Sequence, residues 1–400
     1  MAWHETSVMN ERIRFIHDYQ EGVYAMTELC ERYGISRKSG YKWVGRFGEG
    51  GFSALGDRSR RPHHYRWAIS DEVRAVILAI KERFPHWGAP KIRCRLESLY
   101  PHLEGYPAVS TIGLFLQREG LTGVRRRRRR ASPTEFPLTE GRYANQVWCV
   151  DFKGYFRTGD GRRCNPLTVS DYASRYLVWC RHVPRMETEQ VQPHFERMFR
   201  TYGLPEVIRS DNGSPFGSVG LCGLSRLAVW WIRLGIYPER IQPGHPEQNG
   251  RHERMHKTLK AYTAAPAASS LRSQQRRFDR FREEYNQDRP HEGLSMRTPS
   301  QCYQRSIRPY PSHLPAVAYP RGMQVKRVRD HGDLVYAGHR LFVSETLGGQ
   351  WVGLEPVGEQ RSRLWYCDYL LGEIDHATWS IQAVSHGSLG TDKARGKVKG

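Results

Sequence analysis

Hydrophobic positions recur at helical spacing in the first third of the chain, form strand-like runs in the middle, and return as short alternating runs near the end. In "YAMTELCERYGISRKSGYKWVGRFGEGGFSAL", residues 24 to 55, two short helical patterns flank Gly34-Ile35-Ser36, with Leu29, Ile35 and Val44 spaced to make a small core. That is helix-turn-helix spacing. Ser36 is placed to cap the second helix, whose exposed positions carry Arg37, Lys38, Ser39, Lys42 and Arg46. Three further helical patterns follow: Ser70 to Phe84 with Val73, Ile77 and Ile80, then Ala89 to Leu99, then a helix from Val109 capped by Ser110. They suggest a second helix-turn-helix.

The period then changes. "NQVWCVDFKGYF" reads as a strand from Val147 to Val150 interrupted by Asp151, and Leu167 to Ser170 and Tyr176 to Cys180 complete a three-stranded meander. An amphipathic helix ended by Gly203 and Pro205 precedes the strand "EVIRS", which delivers Asp211. Strands, helix and strand in that order predict an α/β core of the ribonuclease H kind. "GSVGLCGLSRLAVWWIRLGI" predicts a helix with Leu224, Leu227, Trp231 and Leu234 on one face. From about Asn249, Met255, Leu259 and Tyr262 repeat at helical spacing, and this helix carries Glu253 with Lys257 and Lys260 at i+4 and i+7. The loop before it offers the competing Glu247. After the Pro-rich "RPYPSHLPAVAYP", Gly-broken alternating runs predict a small β-barrel.

The expected organisation is therefore multidomain: a helix-turn-helix domain (residues 1–57), a basic linker (58–69), a second helix-turn-helix-like domain (70–124) and an Arg-rich linker (125–142). The α/β core (143–307), the barrel (316–383) and a disordered tail (384–400) follow.

Charge changes the picture. Lys and Arg number 62 against 41 Asp and Glu, a net +21, which suits a polyanionic partner, with nucleic acid leading. No apolar run of about 18 residues argues for a membrane span, so a cytoplasmic or nucleoid location is expected. The eight cysteines contain no Cys-x-x-Cys pair, so neither a zinc ribbon nor a disulfide framework is suggested and reduced thiols are expected. "GDRSRRPHHYRW", with Arg60 and Arg61, is suited to lie along a phosphate backbone. Arg125, Arg126, Arg127, Arg128, Arg129 and Arg130 form a run that reads either as a solvated flexible linker or as a phosphate or minor-groove contact.

"VWCVDFKG", "IRSDNGSPF", "HPEQNGRHERMHKTLK" and "EEYNQDRPHEGLSMRTPSQCY" together resemble the integrase core of bacterial insertion-sequence transposases and retroviral integrases, nearest to the insertion sequence 481 group. The resemblance extends to the helix-turn-helix N-terminus. It implies a ribonuclease H-like integrase core with Asp151, Asp211 and Glu253 as the acidic triad. It further implies two Mg²⁺ or Mn²⁺ ions per active site, double-stranded DNA (terminal inverted repeats and target DNA) as partner, and an oligomer of at least two chains on paired ends. Asn249 would touch terminal nucleotides, and Asn212 and Gly213 would form a turn that lets DNA approach. Two departures stand out: 41 residues separate Asp211 from Glu253, and the retroviral His/Cys zinc module has no counterpart. A non-enzymatic reading, a repressor or decayed transposase that only grips DNA, stays open.

Overall fold

The computed structural model describes residues 7–58, 69–103, 105–122, 138–218, 220–242 and 244–384. Arg60, Arg61, the run Arg125 to Arg130 and the expected tail lie outside them. The chain forms two units, Met1–Ala68 and Ile69–Gly400.

The first unit is helical: α1 (Val8–Glu21), α2 (Met26–Arg32) and α3 (Arg37–Gly50), closed by a 3₁₀ turn at Gly51–Leu55. Phe15, Ile16, Leu29, Cys30, Trp43 and Leu55 are its buried core. Ile35 and Val44, expected in that core, pack only against its edge, while Trp43 belongs to it. Ser36 caps α3 as expected, accepting the Ser39 N–H at 3.2 Å. A Cβ on Gly40 would meet Cys30 Sγ at 2.6 Å, so the α2–α3 crossing requires a glycine inside the helix.

In the second unit, α4 (Asp71–Arg83), α5 (Ala89–Leu99) and α6 (Val109–Arg118) enclose Ile77, Ile80, Phe84, Trp87, Ile92, Leu96, Ile112 and Leu116. Ser70 caps α4. Ser110 does not cap α6: the N-cap is Ala108, without a side-chain bond, and Ser110 lies in the first turn.

The central sheet has strand order β5-β4-β1-β6-β7. Its members are β1 (Val147–Phe152), β4 (Pro166–Asp171), β5 (Leu177–His182), β6 (Val207–Ser210) and β7 (Tyr237–Arg240), while β2 (Phe156–Arg157) and β3 (Arg163–Cys164) form a small separate hairpin. β1 pairs antiparallel with β4 and parallel with β6. Asp151 does not interrupt β1; it stays in the strand, opposite Thr168. Both faces are covered, which is why the strands read as nearly continuous apolar runs. Trp148 and Val150 pack with α7 (Thr188–Tyr202) and α8 (Arg226–Arg233) in one cluster. Leu177 and Cys180 pack in another with α9 (Gly250–Thr263) and α10 (Leu271–Gln287). The predicted helix after Asp211 is shorter than its apolar pattern: Leu224 precedes it, Leu234 follows it, and it is buried at Leu227, Ala228, Val229, Trp230, Trp231 and Ile232. The expected α/β core of ribonuclease H type is thus present, closed by the short α11 (Pro299–Cys302).

The C-terminal region is all-β but not a closed barrel. β8 (Gln324–Arg327), β11 (Trp351–Pro356), β12 (Arg361–Tyr366), β13 (Tyr369–Asp375) and β14 (Ser380–Ala383) form an open antiparallel sheet in the order β14-β13-β12-β11-β8. β9 (Asp333–Tyr336) and β10 (His339–Phe342) pair only with each other. Closure would need β8 and β14 to pair, and they are opposite edges of the sheet. Nor does the Pro-rich segment separate two cores, because Leu354 and Leu364 share a hydrophobic cluster with Leu227 and Trp231, and Tyr310 rests on Phe199 and Trp230. No helix among the described residues is long and apolar enough to cross a membrane.

Candidate active site

Parallel pairing of β1 with β6 brings Asp151, near the end of β1, beside Asp211, the first residue after β6. Helix α9, which packs on β1, brings Glu253 from its first turn. Asp151 is pushed up to about 7, first by burial, then by the Asp211 carboxylate, with Glu253 adding a smaller push; the Phe152 N–H and Lys153 pull the other way. Burial also raises Asp211, partly offset by the Gly213 N–H, which donates to Asp211 Oδ1 at 3.2 Å. Glu253 itself is exposed. Among the described residues no Lys or Arg lies within ion-pair distance of these three acids, and His256 Nδ1 is 3.6 Å from Asp151 Oδ2.

Asp171, on the same sheet, shows the structural alternative. Its carboxylate accepts the N–H groups of Asn145 (2.6 Å) and Ser174 (2.7 Å) and the Ser174 hydroxyl (2.6 Å), so its acceptors are used. Asp151 and Asp211 each have weaker support, the Phe152 N–H and Lys153 for the first and the Gly213 N–H for the second. Hard oxygen donors suit Mg²⁺ or Mn²⁺, but the oxygens of the three acids do not all lie within 4.8 Å of one another; among the described residues only His17, Asp18 and Glu21 form such a group.

The Asp211-Asn212-Gly213 turn is there, but for another reason than a left-handed glycine. Gly213 has its φ outside that region, and a Cβ on it would sit 3.2 Å from Asp211 Oδ2. The glycine leaves the carboxylate room. Asn212 Nδ2 donates to the Ile241 carbonyl at 2.8 Å and thereby ties the turn to the end of β7.

Asn249 does not lie open to a nucleotide: it is only 5% exposed, and its Oδ1 is buried without a hydrogen-bond partner. The Glu247 side chain lies outside the described residues. Lys257 and Lys260 are exposed on α9.

Two site neighbours escaped the sequence reading. His252 and His256 are buried on the face of α9 that carries Met255 and Leu259, and they meet the side chains of β4. Thr168 Oγ1 lies 2.8 Å from His252 Nε2 and 2.6 Å from His256 Nε2, and Ser170 Oγ lies 2.7 Å from His252 Nδ1. Burial holds His252 down to about 3 and, with help from His252 and Lys153, keeps His256 well below its ordinary value. The signal was available: histidines four apart on an apolar stripe, and hydroxyls two apart on a buried strand.

In the first unit, Arg37, Lys38 and Lys42 are exposed on α3. Ser39 and Arg46 are not free in the same way. Ser39 Oγ lies 3.1 Å from Ser36 Oγ within the cap, and Arg46 is half-buried, donating to the Gly56 carbonyl at 3.4 Å; both Lys42 and Arg46 lie over the Trp43 ring, at 4.7 and 4.9 Å. All eight cysteines are free thiols.

Comparison with known proteins gives matches along most of this architecture. Residues 142–246 and 234–299 match two integrase core domain families, residues 11–63 a helix-turn-helix domain and residues 39–116 a homeodomain-like domain. The insertion element IS407 uncharacterized 31.7 kDa protein of Burkholderia multivorans is 28% identical over 196 residues, which are 46% of this chain and 66% of that relative. Among solved structures, the HTLV-2 integrase catalytic core in complex with magnesium is 15% identical, with a TM-score of 0.33, covering 41% of this chain and 100% of the other. A chain of the simian T-cell lymphotropic virus intasome, in complex with the PP2A regulatory subunit B56 gamma, is 15% identical with a TM-score of 0.36, covering 78% of this chain and 99% of the other. The chain thus carries segments that match helix-turn-helix and homeodomain-like domains, followed by segments that match integrase core domains.

Proposed function

We propose that this protein is a DNA transposase that binds the terminal inverted repeats of its element, cleaves the ends and joins the freed 3′-hydroxyls to target DNA. The observation that carries the reading is that β1–β6 pairing and helix α9 bring Asp211 and Glu253 to the buried Asp151, whose carboxyl both push upward. Placement near the insertion sequence 481 group rests on the four motifs quoted above, and a cytoplasmic, nucleoid-associated location follows from the substrate.

In this reading Asp151, Asp211 and Glu253 are the ligands of Mg²⁺ or Mn²⁺, two ions per active site. Bound there, the ions supply positive charge to the attacking and leaving oxygens of an in-line displacement at phosphorus. The chain's own residues do the positioning. β1 and β6 hold two carboxylates at fixed separation, the Gly213 N–H orients Asp211, and Glu253 completes the set from α9. Lys257 and Lys260, exposed along the same helix, hold the DNA backbone. Arg37, Lys38 and Lys42 enter a major groove to read the repeat. The attacking group is water when an end is nicked and the 3′-hydroxyl when it is joined. Two ends in one reaction require at least two chains.

A cleavage and joining assay on the element's own end DNA with Mg²⁺ tests the proposal. Divalent-dependent nicking and joining supports it. Tight, specific end binding with no nicking under any divalent ion would favour the non-enzymatic DNA-binding reading.

A further inference from the structure

Three cations gather where α5 meets the core. Cys94 Sγ lies 3.6 Å from the Met296 carbonyl and Arg95 Nη2 lies 3.6 Å from Asp288 Oδ1, so one face of α5 rests on the loop 288–297. Lys91 stands one turn earlier on that face. The loop contributes Arg289 and His291, and the turn between β4 and β5 contributes Arg175. The Arg175 guanidinium lies over the Gly293 backbone, where a Cβ would stand 3.1 Å from Arg175 Cζ, so this position requires a glycine. The loop is held shut by the His291 N–H, which donates to the Arg297 carbonyl at 3.1 Å, and by the Met296 N–H, which donates to the His291 carbonyl at 2.9 Å. Ser295 and Met296 take left-handed φ values of 54° and 63° inside it. Backbone of that kind in non-glycine residues persists only where the surroundings impose it.

None of the Lys91, Arg175 and Arg289 side chains makes a hydrogen bond or an ion pair with any of the described residues. Arg175 Nε and Arg289 Nη1 are buried without a partner, and so is Nε2 of His291, a ring only 9% exposed. The other guanidinium nitrogens and Lys91 Nζ are equally unbonded but not sealed from solvent, so a ligand can reach them. The charges also act on one another. Lys91 is pushed down to about 8, first by burial and then by Arg289, with Arg175 adding a smaller push and Glu292 opposing. His291 is held down to about 3 by burial and then by Arg289, Lys91 and Arg175. Burial and then Arg251 lower Arg175, with Arg254 adding to them and Tyr285 opposing. Glu292 and Glu284 act on Lys91 and Arg289 only from beyond ion-pair distance. Half-buried like charges with idle donors cost stability until an anion joins them.

We propose that Lys91, Arg175, Arg289 and His291 form a phosphate-binding site that clamps the backbone of DNA where α5 meets the core. Two guanidinium forks suit the paired oxygens of a phosphate, and the Lys91 ammonium adds a point charge beside them. DNA is favoured over a free anion because the cations do not stop at the loop. Arg251 and Arg254, exposed on either side of Glu253, both act on Arg175, and Lys257 and Lys260 continue the line along α9. A strand gripped at the loop and followed along that line passes Glu253. The inference rests on the part of the proposed function that makes DNA the partner, and it adds a grip on the core side that the cations of α3 do not supply.

The test is fluorescence anisotropy of the full chain on end DNA and on a duplex of unrelated sequence across a salt series, with thermal melting of the DNA-free protein and titration with inorganic phosphate alongside. Lys91→Gln, Arg175→Gln and Arg289→Gln combined should weaken binding to both duplexes, since phosphate contacts carry no sequence, and should flatten log K against log salt by about 0.9 or more. Lys91→Met alone, which keeps the apolar stem, should weaken DNA binding while the DNA-free protein melts no lower than the parent, because a repulsion has been removed. Lys91→Arg, which keeps the charge, should hold the parental slope. Unchanged affinity and slope in the combined variant overturn the proposal. So does a Lys91→Met chain that melts below the parent yet binds DNA as the parent does, which would make the cations part of the packing. Inorganic phosphate bound by the parent and lost in the combined variant, with the DNA slope unchanged, assigns the site to a free anion and overturns the DNA clamp. A parent that grips DNA through these residues but never nicks it leaves the clamp standing and sinks the cleavage reading; a parent that nicks and joins, with the combined variant binding as tightly, does the reverse.

Discussion

Arg209 Nε lies 2.6 Å from Glu239 Oε2, with both side chains almost wholly buried, where β6 pairs with β7 two residues before Asp211. Arg209 also donates to the Thr139 carbonyl at 2.6 Å, and the Thr139 N–H donates to Glu239 Oε1 at 2.8 Å. The pair therefore fastens residues ahead of the core to the strand that delivers a candidate ligand. Glu239→Gln leaves a buried guanidinium without its counter-charge and should cost about 3–5 kcal/mol, read by urea denaturation. Converting both partners to apolar residues of similar size should restore most of that loss. A single variant as stable as the parent would show that the pair does not hold the strand end.

The acids themselves give the sharpest functional prediction. Asp151→Asn, Asp211→Asn and Glu253→Gln should each abolish cleavage and joining while end-DNA binding in a mobility-shift assay stays near parental, because none of the three lies on α3. Glu247→Gln should be mild. Near-normal joining by the Glu253 variant, or loss confined to the Glu247 variant, would move the third ligand from α9 into the preceding loop.

Burial of Asp151 has a pH consequence in chelator, where no divalent ion compensates it. Its folded value of about 7 lies above the ordinary 3.8, so between those values the folded state holds a proton that the unfolded state has released. That stability is fully present near pH 4 and is lost as pH rises through about 7, an effect of a few kcal/mol at most. Thermal melting in chelator should therefore show Asp151→Asn more stable than the parent near pH 8, with a flatter profile from about pH 4 to 7. Added Mg²⁺ should raise the parent's midpoint and leave the variant's unchanged. Identical pH profiles for the two proteins would count against the burial argument.

Strand and helix identity was legible because buried runs such as Val147 to Val150 and the Ser36 cap are local signals. Asp151 was legible as a charge at a cost, yet its place inside β1 was not, since only pairing with Thr168 keeps the strand going. β7 was missed for a related reason: "YPER" has no strand pattern, and its place comes from parallel pairing with β6. The open C-terminal sheet misled because alternating runs specify strands but not which edges meet. His256 was hidden because a histidine on a helix declares its role only through what lies across from it, here Thr168.

The exposed cations of α3 predict how DNA is held. Arg37→Ala, Lys38→Ala and Lys42→Ala should each weaken binding to the element's ends, and each lost phosphate contact should flatten the plot of log K against log salt by about 0.9. Arg46→Ala should act differently, lowering the stability of the first unit through loss of its Gly56 bond and its place beside Trp43. Binding unchanged in both strength and salt slope for the first three would leave α3 as an ordinary helix of a hairpin.

Assembly gives the last prediction. Joining two ends to one target needs two active sites in a fixed relation, while each chain has one set of Asp151, Asp211 and Glu253, so two chains at least must act together. If one chain reads an end while its core acts on the other, defects in reading and in chemistry can be carried by different chains. A chain with Arg37→Ala and Lys42→Ala, mixed with one carrying Asp211→Asn, should then regain joining of paired ends that neither shows alone. The mixture contains one intact reading surface and one intact acidic set, and only exchange of roles between chains places them on the same DNA. Mixtures as inactive as either parent, with both chains present in the paired-end complex, would mean that each chain cuts the end it reads. Sedimentation of the active complex should give two or more chains per pair of ends, and a single chain there would remove the dimer as well.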